Sequence, residues 1–435
     1  MKASQLALLG GKPLTDLPIP RYNTIGDAEK KAVMEVLDSG ELSGFVAAPG
    51  DWFYGGKCVR ALETAFKEHF GVRHAIAVNS ATSGLHASLM AMDLGPGDEV
   101  IVSPYTMHAS ATMIVMCGAV PVFADIERDS FCIDPASVEA LITPRTRGVV
   151  AVNIFGHPAA LDPLKATCDR HGLFLLEDNA QAPDAVYKGR KTSTIGDAGV
   201  FSLNRHKTMQ CGEGGVVVTN DDRIAKKVQL FRNHGETVVA AMAETDLVNT
   251  IGVNYRMGEM EAAVARVQFA KLPELNAARQ ALCARLTEQL GSVPGILPPA
   301  VASDCTHVYY FYVMRYDAAR TGIPRDLFVR AFNAEGFPMR AGYLTPLYLE
   351  PMYQKRVAIG RTGFPWSFYP ESRQISYTRG ICPTVERLQD HEVILTAFIH
   401  PPLTNADMDR YVEAMRKVIA NRDALLTHAT REAAE

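Results

Sequence analysis

The eight cysteines, at 58, 117, 132, 168, 211, 283, 305 and 382, include no C-x-x-C pair. That scatter suits neither a zinc ribbon nor a disulfide framework, and it points to reduced thiols in a cytoplasmic protein. Long apolar runs are missing too. Nothing approaches the ~18 consecutive apolar residues of a membrane helix. The apolar stretch at residues 6–9 is too short for a signal segment and is stopped by Gly10 and Gly11. Neither charge sign dominates: 44 Lys and Arg stand against 48 Asp and Glu, for a net −4. No basic excess argues for nucleic acid or an anionic membrane, though the balance is compatible with a local basic site that binds a small anion. Internal repeats and low-complexity tracts are absent.

The 435 residues are 47% apolar and 21% charged, ordinary values for a globular protein with a sizeable core. "DAEKKAVMEVL" (27–37) has helical spacing, with Val33, Met34, Val36 and Leu37 on one face. "KCVRALETAFKEHFG" (57–71) repeats the pattern with Leu62, Phe66 and Phe70, and Gly71 as its stop. From residue 74, apolar strands alternate with helices, which indicates an α/β fold with a largely parallel sheet covered on both faces. A long Ala-rich helical stretch at 259–291, interrupted near Pro273, leads to a smaller α+β unit. The expected division is 1–275 for a large ligand-binding domain and 276–435 for a small C-terminal one.

Ligands of such sheets bind beyond the carboxyl ends of the strands. Three polar, small-residue loops stand at such ends: 79–84, 103–107 and 177–181. In "NSATSGLHASL", backbone N–H groups at a helix start, with the Thr82 and Ser83 hydroxyls, suit a phosphate; a plain Ser/Thr-capped helix is the alternative. Asp178 follows the apolar strand "LFLL". No histidine pair or acidic cluster beside it completes a metal site, so no metal is expected. An aspartate there can face a protonated ring nitrogen, or simply cap a helix. Lys207, in "NRHKTMQCGEGG", becomes a nucleophile if burial keeps its amine neutral. A phosphate cradle, a pyridinium carboxylate and a late lysine, in that order, together describe a pyridoxal phosphate pocket.

The chain resembles the DegT/DnrJ/EryC1/StrS family of sugar aminotransferases. The resemblance rests on "AVNSATSGLHASL", "PGDEVIVSPYT", "GAVPVFADI", "NIFGHPAALDPL", "GVNYRMGEMEAA", "CPTVERL" and, most specifically, on the block from "LLEDNAQAPDAVYKGRK" through "FSLNRHKTMQCGEGGVVVTN". It implies the pyridoxal-phosphate-dependent transferase fold of type I, that of aspartate aminotransferase. Lys207 matches the lysine that carries the cofactor as a Schiff base, and Asp178 the carboxylate on the pyridine nitrogen. Gln181 matches the side chain near the ring hydroxyl, and Ala81, Thr82, Ser83 and Ser202 the phosphate site. Asn254 matches the asparagine that reaches the partner subunit's phosphate, which implies a homodimer with shared sites. The opening "LLGGKPLTDLP" looks like the branch acting on ketocyclitols. Two positions depart from the pattern. Ala81 stands where the family often has glycine, and Met107 stands where an aromatic usually stacks on the cofactor ring.

The implied reaction moves an amino group from glutamate or glutamine to a keto-sugar or ketocyclitol. Rivals are a keto-sugar dehydratase of the same fold, in which histidine replaces the lysine, and a non-catalytic regulator that binds the cofactor. Tyr54, His307, Tyr309 and Tyr343 are candidate acceptor contacts, with Arg340 for an anionic group. Glu213 is either a buried charge partner or a loop acceptor.

Overall fold

In a computed structural model of the protein, the described residues are 5–16 and 18–433. The remaining termini and Leu17, which the expected domain bounds and the "LLGGKPLTDLP" stretch include, lie outside the described residues. The central sheet has seven strands: β1 (His74–Val78), β2 (Glu99–Val102), β3 (Val120–Phe123), β4 (Thr146–Val152), β5 (Phe174–Asp178), β8 (Ala198–Ser202) and β9 (Gly215–Thr219). A short hairpin of β6 (Val186–Tyr187) and β7 (Arg190–Lys191) interrupts the series. The strand order is β1-β9-β8-β5-β4-β2-β3, and only β9 runs against its neighbours. Strands β2, β3, β8 and β9 are buried at every residue, which follows from their largely apolar sequences, polar only at Glu99, Ser202 and Thr219 at strand ends, and from helices on both faces.

The first helices are α1 (Asp27–Ser39), α2 (Lys57–Phe70), α3 (Ala81–Ala91), α4 (Ala109–Met116), α5 (Pro135–Ala140), α6 (Leu161–His171), α7 (Asp222–Arg232) and α8 (Glu259–Leu290). Helix α2 buries Leu62, Phe66 and Phe70 as its spacing predicts, and Gly71 ends it in the left-handed region at φ 63°. Helix α1 differs from expectation. Val36 is buried, yet Met34 and Leu37 are exposed, so this chain alone does not cover the whole apolar face. Helix α8 also differs, because it continues through Pro273. The proline removes one backbone bond, but Phe269, Leu272 and Asn276 are buried on both sides of it. That packing holds the helix in one piece.

Beyond α8 lies a four-stranded antiparallel sheet ordered β10 (Ile296–Leu297), β11 (Tyr312–Tyr316), β13 (Val393–Thr396), β12 (Arg340–Ala341). Helices Arg325–Ala334 and Asn405–Ala420 supply Phe328, Phe332, Tyr411 and Met415 to its core, together with Leu282 and Leu286 of α8. Between β12 and β13 the chain returns to the large unit. There Tyr348, Tyr353, Trp366, Tyr377 and Leu388 join the central core, and the Tyr377 hydroxyl donates to the Pro121 carbonyl at 2.7 Å.

Candidate active site

The strand ends place the site. Ser80 caps α3, its hydroxyl oxygen accepting from the Ser83 N–H at 3.0 Å. As the first helical residues, Ala81 and Thr82 present N–H groups with no intrahelical acceptor. Two glycines let the sheet press against this helix start. A Cβ on Gly84 would come within 2.9 Å of Val200, and one on Gly215 would come within 2.6 Å of the Ala81 nitrogen. The helix start opens into a cavity of about 180 Å³, which Ala81, Thr82, Met107, Asp178, Gln181, Ser202 and Lys207 line together with Asn204, His206 and Glu213.

Lys207 stands at the tip of a loop joining β8 to β9. The loop is pinned as a hairpin: Leu203 N–H donates to Gly214 O, Arg205 N–H to Gly212 O, and Cys211 N–H to Leu203 O, each at 2.9 Å. Gly212, at φ 91°, makes the turn. Glu213 is a loop acceptor here, taking the Asn204 side-chain N–H at 2.7 Å. The Lys207 amine is buried, with Nζ 4.3 Å from the centroid of the Tyr310 ring. Burial lowers its pKa to about 8, against the pull of the Asp178 charge.

Asp178 is the last residue of β5 and is buried. Its Oδ2 accepts from the Ser110 hydroxyl at 2.7 Å and its Oδ1 from the Ala180 N–H at 3.1 Å. Burial pushes its carboxyl up, while those two hydrogen bonds and the Lys207 charge pull it down. Gln181 is fixed at both ends: Oε1 accepts from the Phe155 N–H at 2.8 Å and Nε2 donates to the Tyr343 hydroxyl at 3.2 Å. Ser202, at the end of β8, accepts from the Asn204 N–H at 3.3 Å. The exposed Met107 accepts from the Ala109 N–H through sulfur at 3.1 Å.

Other expected residues lie elsewhere. The Ser83 hydroxyl does not line the cavity; it donates to Asn79 Oδ1 at 2.6 Å. Asn254 lies exposed in an isolated bridge with Asn233, its Oδ1 accepting from Arg256 Nε at 2.9 Å. Tyr54, His307, Tyr309 and Arg340 do not line the cavity, and Tyr343 meets it through Gln181. Sequence reasoning missed Ser110 and Tyr310, which touch Asp178 and Lys207 from distant parts of the chain. It also missed Glu177, whose buried carboxylate accepts the N–H groups of Ser193, Ile195 and Gly196 and so fastens the chain beside Asp178.

The seven-stranded sheet, with its single reversed strand and small antiparallel C-terminal unit, is the type I fold of pyridoxal-phosphate-dependent aminotransferases, as expected from the sequence. Residues 27–415 match the model of the DegT/DnrJ/EryC1/StrS aminotransferase family, and the chain belongs to that family. It is 31% identical over 405 residues, 92% of this chain and 96% of its relative, to the spore coat polysaccharide biosynthesis protein SpsC of Bacillus subtilis (strain 168). Among solved structures it resembles the aminotransferase from Psychrobacter cryohalolentis, with 31% identity, 93% and 99% of the two chains covered, and a TM-score of 0.78. DesI, solved in the presence of its TDP-sugar product, matches with 30% identity, 98% and 99% coverage, and a TM-score of 0.79.

Proposed function

We propose that this protein is a pyridoxal-phosphate-dependent aminotransferase that moves an amino group from glutamate or glutamine to a keto-sugar or ketocyclitol. The observation that carries this is one cavity holding the buried amine of Lys207, the buried carboxylate of Asp178 and the open start of α3. These groups fit the cofactor's chemistry. An amine titrating near 8 is neutral often enough to attack an aldehyde. A buried carboxylate satisfied by only two donors has lone pairs left for a ring N–H. Free helix N–H groups and the Ser202 hydroxyl receive a phosphate. When bound, pyridoxal phosphate supplies the electron sink and carries the nitrogen between donor and acceptor.

The chain's own residues do the rest. Lys207 Nζ takes a proton from the donor carbon and returns one nearby, acting as base and then acid. Ser110 and the Ala180 N–H hold Asp178 in place. Gln181, clamped by Phe155 and Tyr343, lines the cavity and would contact the cofactor ring near its hydroxyl. Met107 lines the cavity and would offer a bound ring a polarizable thioether. We propose a homodimer in which Asn254 reaches the partner's cavity. Asn254 is exposed, and Leu247, Val248 and Ile251 just before it are exposed apolar residues. The acceptor is read as a sugar because relatives of known name act in polysaccharide and TDP-sugar chemistry. No helix among the described residues is long and apolar enough to cross a membrane, and we place the enzyme in the cytoplasm.

A dehydratase of this fold carries histidine at the lysine's place. Here Lys207 holds the buried position and His206 is exposed, which favours amino transfer. The test is borohydride reduction of the protein loaded with pyridoxal phosphate, followed by peptide mapping. Turnover is then measured with glutamate and with glutamine against a panel of keto-sugars and ketocyclitols. Covalent label at Lys207 and donor-dependent turnover are expected; label elsewhere, or none, overturns the proposal.

A further inference from the structure

Tyr310 stands in the segment leading from the large unit into β11, and three contacts fix its backbone. Val308 N–H donates to Gly156 O at 2.9 Å, and Phe311 N–H to Phe155 O at 3.3 Å. Arg279 donates to Tyr309 O at 3.2 Å. The approach is close enough that a Cβ on Gly156 would meet the Tyr309 and Tyr310 nitrogens at 2.7 and 2.9 Å. These anchors place the ring beside Lys207, whose Nζ lies 4.3 Å from its centroid. The Phe311 and His206 rings flank it at 4.4 and 6.2 Å.

We propose that Tyr310 is a positioning residue: its ring face holds the free Lys207 ammonium by a cation–π contact and keeps that amine inside the cavity. The proposal rests on Lys207 being the reactive amine, as argued above. An ammonium within ~6 Å of an aromatic centroid is attracted by the ring quadrupole, and the attraction grows once water is excluded. Burial lowers this lysine's hold on its proton, and the ring opposes that shift without introducing a charge. The titratable and charged groups around the amine are Asp178 from β5, Arg205 and His206 from its own loop, and Glu213 from the loop's far arm. Arg279 and Tyr343 act on Tyr310 itself. A substitution at 310 leaves all six in place.

The full chain, freed of cofactor, is labelled with a lysine-directed acylating reagent over a pH series, and label at Lys207 is quantified by peptide mass spectrometry. In the native chain, labelling is half-maximal near pH 8. Tyr310→Phe keeps the ring face and the midpoint. Tyr310→Leu loses the face, and the midpoint falls by about one pH unit. Should the leucine variant fail to fold, Tyr310→Met supplies the ring-free comparison with a side chain that fills irregular space. An unmoved midpoint in the folded ring-free variant, or an equal shift in Tyr310→Phe, overturns the proposal. Because labelling needs neither cofactor nor turnover, a shifted midpoint alongside failed borohydride fixation would sink the aminotransferase assignment and leave the role of Tyr310 standing.

Discussion

Gly215 opens β9 beneath the first turn of α3, and Gly215→Ala tests whether that contact sets the anion cradle. The glycine's φ lies outside the left-handed region, so alanine brings no backbone strain and gains ~0.4–1 kcal/mol by restricting the unfolded chain. The new Cβ, however, meets Ala81 N and Ser80 C at 2.6 Å and Ser80 O at 2.7 Å. These are backbone atoms and cannot rotate aside. To regain van der Waals separation of ~3.5 Å, strand and helix start must part by roughly 1 Å. An overpacked contact of this kind costs about 1–3 kcal/mol of stability. It also moves the Ala81 and Thr82 N–H groups relative to Ser202 across the cavity. Loss of one charge-assisted hydrogen bond, at ~1.5–3 kcal/mol, weakens phosphate binding about 10- to 100-fold. The assay is equilibrium dialysis of the cofactor-free protein with pyridoxal phosphate and, separately, with pyridoxal. Only the phosphate ester engages the cradle, so its affinity falls while that of pyridoxal stays. Equal weakening of both ligands, or of neither, refutes the reasoning.

Lys207→Met removes a buried amine whose folded pKa of about 8 lies below its ordinary 10.5. The unfolded chain therefore binds more protons between those values, and the native lysine's penalty is full below pH 8 and gone above 10.5. In urea melts of the cofactor-free protein, the variant should be more stable by ~1–3 kcal/mol at pH 7, with the gain fading across that window. Asp178→Asn keeps the shape and the Ser110 contact, so stability changes by about 1 kcal/mol or less. Stopped-flow measurement of the half-reaction with the amino donor should nonetheless show a loss of roughly 100- to 1,000-fold, the scale of removing a preorganised electrostatic partner. If active sites are shared, mixing inactive Lys207→Ala with an inactive Asn254 variant restores part of the activity. No recovery on mixing would place Asn254 outside the partner's site.

Much of the large unit was legible because its signals are local. Continuous apolar strands and amphipathic helices gave the sheet, and the strand-end rule drew attention to Asp178, which lines the cavity with Lys207 and Gln181. The serine-capped start of α3 and the glycines after Lys207 were equally plain. What stayed hidden depends on contacts distant in sequence. Nothing near Ser110 announces that its hydroxyl turns to Asp178, and nothing near Tyr310 announces Lys207. Glu177 reads as one more strand residue until the chain at 193–196 folds over it. Pro273 reads as a break, since propensity carries no information about the burial that overrides it. The return of residues 343–388 to the central core is likewise a tertiary fact, made by the Tyr369 hydroxyl donating to Glu99 of β2 and by the Tyr377 hydroxyl, which accepts from Trp366, donating to the Pro121 carbonyl of β3.

The energetics of the site explain why it needs so much scaffold. Lys207 and Asp178 are both buried, and burial works against the charged form of each. The lysine's displacement alone corresponds to about 3 kcal/mol, a large share of the ~5–15 kcal/mol by which domains are stable. Their mutual attraction, the Ser110 hydroxyl and the Tyr310 ring return part of this. A ligand that takes up the amine covalently and places a positive ring nitrogen on the carboxylate removes the rest, and binding then stabilises the fold by linkage. On the proposed function, the same two residues destabilise the empty chain and favour the ligand that satisfies both. The rigid strands β5 and β8 and the pinned hairpin at 203–214 hold them there against the relaxation that would otherwise let water in.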